Sequence, residues 1–261
     1  TALQIMTNHI QMSYYFLIVI AALVIGFLVA AVRNKKMRQW TIATASLVVA
    51  AVLAVGANLP NLYNTYEYSK ETMRGQHSEL SSSSDGTNAT KGLDKDYILQ
   101  YSYTPSETFS LLIPNVKGGA TVKPEKGHHK PLTLADLPEA KAAVAESRIG
   151  YNDAANLQAF LQYFGAPEGT NGPVYVGAVI VALFLLGCII VKGPIAWALI
   201  SMTALSILLS WGRYCGWLSE LFIDYFPLYS KFRTVESILV IAEFTIPLLA
   251  ILAMCKLVNT S

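Results

Sequence analysis

Charged side chains are scarce in this sequence. Asp, Glu, Lys and Arg make up 14% of 261 residues and nearly cancel at a formal net charge of +2. Nothing in so neutral a chain points to a nucleic-acid partner. Cysteine is scarcer still: Cys188, Cys215 and Cys255 lie on separate segments, two of them inside apolar runs, which excludes a disulfide framework or a thiolate metal cluster. His128 and His129 stand in a Lys/Gly/Pro-rich stretch without the spaced Cys, Asp or Glu that a metal site requires, so neither a metal nor another cofactor is expected. There is no Gly-rich phosphate loop, no G-x-S-x-G and no Cys/His pairing at catalytic spacing. The opening "TALQIMTNHIQ" has no basic region before the first apolar run, so that run is not a secretory signal peptide. With no Met at position 1, the chain reads as an internal piece of a longer membrane protein.

Apolar residue is what the sequence has in abundance, at 53% hydrophobic. It is concentrated in five runs, residues 12–32, 41–59, 174–191, 195–211 and 235–255. Each approaches the ~20 residues that cross a ~30 Å hydrocarbon layer at ~1.5 Å per residue. One such run fits a buried core helix, but five in one chain predict an all-α polytopic membrane protein with about five transmembrane helices. The expected organisation is two helices over 1–59, an extracytoplasmic segment over 60–172 and three helices over 173–261.

Orientation follows from the loop "RNKKMRQW", where Arg33, Lys35, Lys36 and Arg38 fall within six residues. Short basic loops stay cytoplasmic. Residues 60–172 are then outside, in agreement with Lys192 and Lys256 inside and against Arg213, Lys231 and Arg233 in a short outer loop. Aromatics fit the same frame, with Tyr14, Tyr15, Tyr63, Tyr66, Tyr175, Trp211 and Trp217 at the outer boundary and Trp40 and Trp197 at the inner one. Within the outer segment, "NLYNTYEYSKETMRG" predicts a short helix or arm, and "SELSSSSDGTNATKG" a polar loop that cannot bury a core. Asn88 opens a short N-glycosylation pattern of little specificity. Thr104, Pro105 and Glu107 predict a capping box that opens a helix. "VKGGATVKPEKGHHKP" reads as a further loop. One or two helices follow over 132–165, with Asn152 or Asp153 as a cap for the second.

Polar residues gather at the predicted outer boundary. Asn8, His9 and Gln11 precede the first span, Glu67, Arg74 and Gly75 follow the second, and Arg213 and Asp224 lie between the last two. Lys231, Arg233 and Glu236 stand at the mouth of the last run, with Glu243 roughly 10–15 Å deeper if the run is one helix. At ~100° per residue, Arg233, Glu236 and Glu243 would share one face, and Glu243 is expected to face the helix bundle rather than lipid. Cations in such a place hold phosphate, carboxylates and aromatics suit a sugar, and an interfacial position suits a lipid-tailed substrate. Arg and Lys snorkelling to headgroups explain any one of them equally well.

The stretches "TNHIQMSYYF", "YEYSKETMRG", "YSYTPSETFSLLIPNVKGG", "GPVYVGAVIVALFLLG" and "FPLYSKFRTVESILVIAE" resemble the YfhO-type bacterial membrane proteins, in the versions found in Bacteroidetes. That family is grouped with the polytopic GT-C glycosyltransferases. The resemblance implies transfer of a sugar from a polyprenyl-phosphate donor to a cell-envelope glycan or glycolipid acceptor, on the outer face of the bacterial cytoplasmic membrane. The implied partners are the lipid-linked donor, that acceptor and membrane lipids. Arg233, Lys231 and Arg213 would then hold the phosphate leaving group, with Arg74 beside them. His9 and Gln11 would position donor or acceptor, and Glu236 would orient Arg233. GT-C enzymes carry their catalytic carboxylate in the first outer loop, which the resemblance places outside this chain. A transporter or lipid flippase using Glu243, and a non-catalytic scaffold for envelope assembly, are the readings from other classes.

Overall fold

The protein is a helical, multi-pass membrane protein. The computed structural model describes residues 2–7, 9–70, 93–125, 128–167, 169–170 and 172–260. In chain order the elements are α1 (Ala2–Met6), α2 (Ile10–Arg33), α3 (Met37–Ala57), α4 (Leu59–Lys70), α5 (Lys95–Ile98), β1 (Val122–Glu125), β2 (His128–Pro131), α6 (Pro138–Ala145), α7 (Tyr151–Leu157), α8 (Ala178–Ile190), α9 (Pro194–Ser210), α10 (Gly216–Tyr225) and α11 (Val240–Thr260). They form two compact units, residues 1–102 with 179–261, and residues 103–178.

Among the described residues of the first unit, three helical stretches are long and apolar enough to cross a membrane: Ile10–Arg33, Met37–Ala57 and Val235–Asn259. A fourth span is available if α9 and the helical stretch Gly212–Tyr225, bent by 112°, count as one. The apolar run over 174–191 yields less helix than expected. Its first residues are non-helical, and α8 has 13 residues, or about 20 Å at 1.5 Å per residue.

The α2–α3 hairpin is closed by a three-residue turn. The Asn34 and Lys36 amides donate to the Ala30 and Ala31 carbonyls, and Lys35 adopts φ 55°. Helix α3 buries only Ala54, as suits a helix whose solvent is lipid. Helix α9 is the centre of the unit. Pro194 sits at its first turn, where the missing N–H costs nothing. The helix buries Ala196, Ala198, Ser206 and Ser210 among its larger apolar residues, the small side chains that let membrane helices approach closely. It packs on α2 and α11. Thr203 and Thr245 meet across α9 and α11 at 2.7 Å, both fully buried. Each hydroxyl has one proton, so one donates across the interface and the other to a carbonyl one turn back in its own helix. One apolar core lies around Tyr15, Val19, Leu209, Ile238 and Ile241, and a second around Ala196, Leu199 and Leu249.

The second unit opens with the expected capping box. Thr104 Oγ1 accepts from the Glu107 amide, Glu107 accepts from the Thr104 amide at 2.7 Å, and a 3₁₀ helix runs over Pro105–Leu111. Glu107 is 2% exposed and fully engaged, since it also accepts from the Tyr163 hydroxyl and the Ala166 amide. Where the sequence suggested a loop, β1 and β2 pair antiparallel with Val122 opposite Pro131. The second of the two helices in this stretch, α7, is capped by Gly150 rather than by Asn152 or Asp153. The expected Ser-rich loop, Arg74, Gly75 and Asn88 lie outside the described residues.

Candidate functional site

Four segments of the first unit meet at one end of α2: the start of that helix, residues 93–102, the turn Gly212–Cys215 and residues 227–239. The last of these is where structure and sequence reading differ most. Residues 229–243 are not one helix. A 3₁₀ turn over Tyr229–Lys231 is followed by extended Phe232, then by a second 3₁₀ turn over Val235–Leu239. Leu228 (φ 66°) and Thr234 (φ 67°, ψ 72°) bracket the segment in the left-handed region, which a β-branched residue rarely occupies. Such strain is held only where the surroundings over-determine it. Here the Leu93 amide donates to the Ser230 carbonyl, and the Glu236 amide to the Tyr101 carbonyl.

The break overturns the expected single stripe of Arg233, Glu236 and Glu243. It also corrects Glu243, which lies on the exposed side of α11 beside Phe244. The inward side of that helix is occupied by Ile241, Ala242, Thr245, Ile246 and Leu249.

Arg233 is held by a clamp that the sequence reading missed. Its Nη1 donates to the Tyr97 hydroxyl at 2.7 Å, and the guanidinium carbon lies 4.6 Å from the Tyr97 ring centre and 5.1 Å from that of Tyr101. The Arg233 Nε is buried and has no hydrogen-bond partner among the described residues. Burial alone would lower the guanidinium pKa, but the hydrogen bonds and electrostatic attraction of Tyr97 and Tyr101 hold it above the ordinary value. The arginine therefore stays charged, and the two rings fix its plane.

Gln11 ties the first span to the same segment. Its Nε2 donates to the Arg233 carbonyl at 2.8 Å and to the Tyr15 hydroxyl at 2.9 Å. The Tyr14 hydroxyl donates to the Pro227 carbonyl, and its ring packs on Phe226 and Phe232. Tyr229 is 2% exposed, and its hydroxyl too has no partner among the described residues. Burial, then the nearby Tyr15 and Tyr14, push its phenol pKa far up, so it stays neutral.

The other expected residues are more dispersed. Lys231 is half-buried in the first 3₁₀ turn, and Glu236 half-buried in the second. Arg213 is exposed and donates to the Asp96 carbonyl at 3.2 Å, its Nη2 lying 3.9 Å from the Asp96 carboxylate. Lys95 pairs with Asp224 at 3.1 Å. His9 stands exposed at the start of α2 and offers no side-chain cap. Among the described residues no three His, Cys, Asp or Glu side chains are placed to hold a metal ion. Family models, curated proteins and solved structures all give no match to the chain.

Proposed function

We propose that this chain is part of a membrane glycosyltransferase that moves a sugar from a polyprenyl-phosphate donor to a cell-envelope acceptor at the outer face of the bacterial cytoplasmic membrane. One observation carries the reading: the Arg233 guanidinium is fixed over two tyrosine rings, beside a span end, with a buried Nε–H that no described residue engages. A guanidinium with one edge occupied and a donor left over suits an oxygen of a phosphate or pyrophosphate. In the transfer step such a group stabilises the charge that develops on the departing phosphate. Lys231 adds positive charge two residues away, and Gln11 sets the position of the Arg233 backbone. The base that takes the acceptor proton is assigned to no residue of this chain.

The test is a cell-envelope glycan profile of a deletion strain complemented with variants. Arg233→Ala should lower transfer on the order of 100-fold or more while the protein accumulates normally. Arg233→Lys should recover part of it, because lysine supplies charge without the planar fork. Wild-type glycans in the Ala strain would remove Arg233 from the mechanism.

A further inference from the structure

We propose that the α2–α3 turn holds an anionic phospholipid, with its phosphate among the basic side chains of the turn and an acyl chain in the cavity beneath them. A cavity of about 390 Å³ opens between α2, α3 and the first turn of α9. Its wall is apolar, built from Phe27, Ala30, Ala31, Ala43 and Pro194. The alanines leave the space that larger side chains would fill. Above the wall the rim turns polar, with Asn34, Lys36 and Gln39. Trp40 closes one side, its indole N–H donating to the Val24 carbonyl at 3.1 Å and so pinning α3 to α2. Trp at the junction of an apolar wall and a polar rim is the placement an interface favours.

Charge supplies the second, independent observation. Lys36 stands on this rim, Arg33, Lys35 and Arg38 flank it in the sequence of the turn, and among the described residues none of the four is in an ion pair. Helices α2, α3 and α9 contain no Asp or Glu at all. Four cations without local compensation attract an anion, and the apolar wall below them selects one that carries a hydrocarbon chain. Basic pockets between membrane helices are where anionic headgroups bind. By contrast, the outward side of α3 is wholly apolar over Leu47, Val48, Val52 and Leu53, and bulk lipid suffices there. This inference needs only the membrane-spanning helices and is independent of the sugar-transfer reading.

The probe is phosphatidylcholine vesicles containing a small fraction of phosphatidylglycerol brominated on its acyl chains, with brominated phosphatidylcholine as the reference. Fluorescence is read from a chain that keeps Trp40 and carries Trp197→Phe, Trp211→Phe and Trp217→Phe. Brominated phosphatidylglycerol should quench Trp40 with a clearly higher association constant than brominated phosphatidylcholine. A Lys or Arg near an anionic lipid gives roughly a five-fold preference, so Lys36→Gln with Arg38→Gln should lower the relative constant by roughly 25-fold. Ala43→Phe, which fills the cavity and leaves the charge alone, should also lower it. Native mass spectrometry of the unsubstituted protein should show phosphatidylglycerol retained over phosphatidylcholine, independent of the Trp replacements. Equal quenching by the two lipids, or a preference that survives the double Gln variant, overturns the proposal. So does competition by millimolar inorganic phosphate, which would make the rim a simple anion site.

Discussion

Replacing Gly212 by Ala tests how tightly the α9–α10 bend is locked to residues 93–102. Gly212 has φ +42°, in the left-handed region that a side chain enters at a cost of about 1–2 kcal/mol. An added Cβ would stand 2.1 Å from Ser102 Oγ, 2.9 Å from Ser102 Cβ and 2.9 Å from Val235 Cγ2. Rotating Ser102 away is no escape. Its Oγ donates to the Leu99 carbonyl at 2.6 Å and accepts from the Arg213 amide at 3.1 Å, so about 1 kcal/mol of hydrogen bonding is lost as well. Overpacking adds about 1–3 kcal/mol, for a total of about 3–6 kcal/mol. Gly216, four residues on, is the internal control. It is right-handed helical, and a Cβ there meets nothing within 4 Å. Gly216→Ala should therefore be neutral or stabilising, by up to about 1 kcal/mol. The assay is thermal unfolding of the purified protein in mild detergent, with both variants compared at the same protein and detergent concentration. Adding Ser102→Gly to Gly212→Ala should recover part of the loss, since it removes one clash but neither the strain nor the Val235 contact. Equal midpoints for Gly212→Ala and Gly216→Ala would show that the bend is not locked in this way.

Three further outcomes are expected. Glu107→Gln replaces an acceptor of four hydrogen bonds, from the Thr104 amide and hydroxyl, the Tyr163 hydroxyl and the Ala166 amide, by a group with two donors of its own. It should destabilise the 103–178 unit by about 2–4 kcal/mol, read as faster proteolysis within that unit. Glu243→Leu should leave abundance unchanged or raise it, because an exposed carboxyl in a spanning segment opposes insertion by up to roughly 3 kcal/mol; a fall in membrane-inserted protein by immunoblot would return Glu243 to the bundle. In a chain without its own cysteines, a cysteine at position 64 should react with an impermeant maleimide in intact cells and one at position 34 should not; the opposite pattern inverts the topology.

The long helices were legible because each needs only a sustained apolar run, and 10–33, 37–57 and 194–210 lie close to the runs that predict them. The Thr104–Glu107 cap was legible because its signal is local, three residues wide. The bend after α9 and the unravelled start of the last span were not, since Leu228, Thr234 and Gly212 take their conformations from contacts with residues over a hundred positions away. The same distance hides the arginine clamp. Tyr97 and Tyr101 are spaced i and i+4 behind the Asp94 cap, but nothing nearby marks them as partners of Arg233. Glu243 was misplaced because a helical wheel drawn through Arg233 and Glu236 presumes a helix that begins only at Val240.

The bond between Gln11 and the Arg233 carbonyl joins residues 222 positions apart, and that between Tyr14 and Pro227 spans 213. At 5–20 residues per second, a ribosome delivers Arg233 roughly 10–45 s after Gln11. For most of that interval, once Ala57 has been made, the α2–α3 hairpin is already synthesised, and the amide of Gln11 has Tyr15, one turn away, as its partner. The start of α2 therefore waits in an unfinished state until residues 227–233 are made. Surveillance of membrane-protein assembly has a long window on this chain at Gln11 and Tyr14, and a chain halted before residue 227 never closes it.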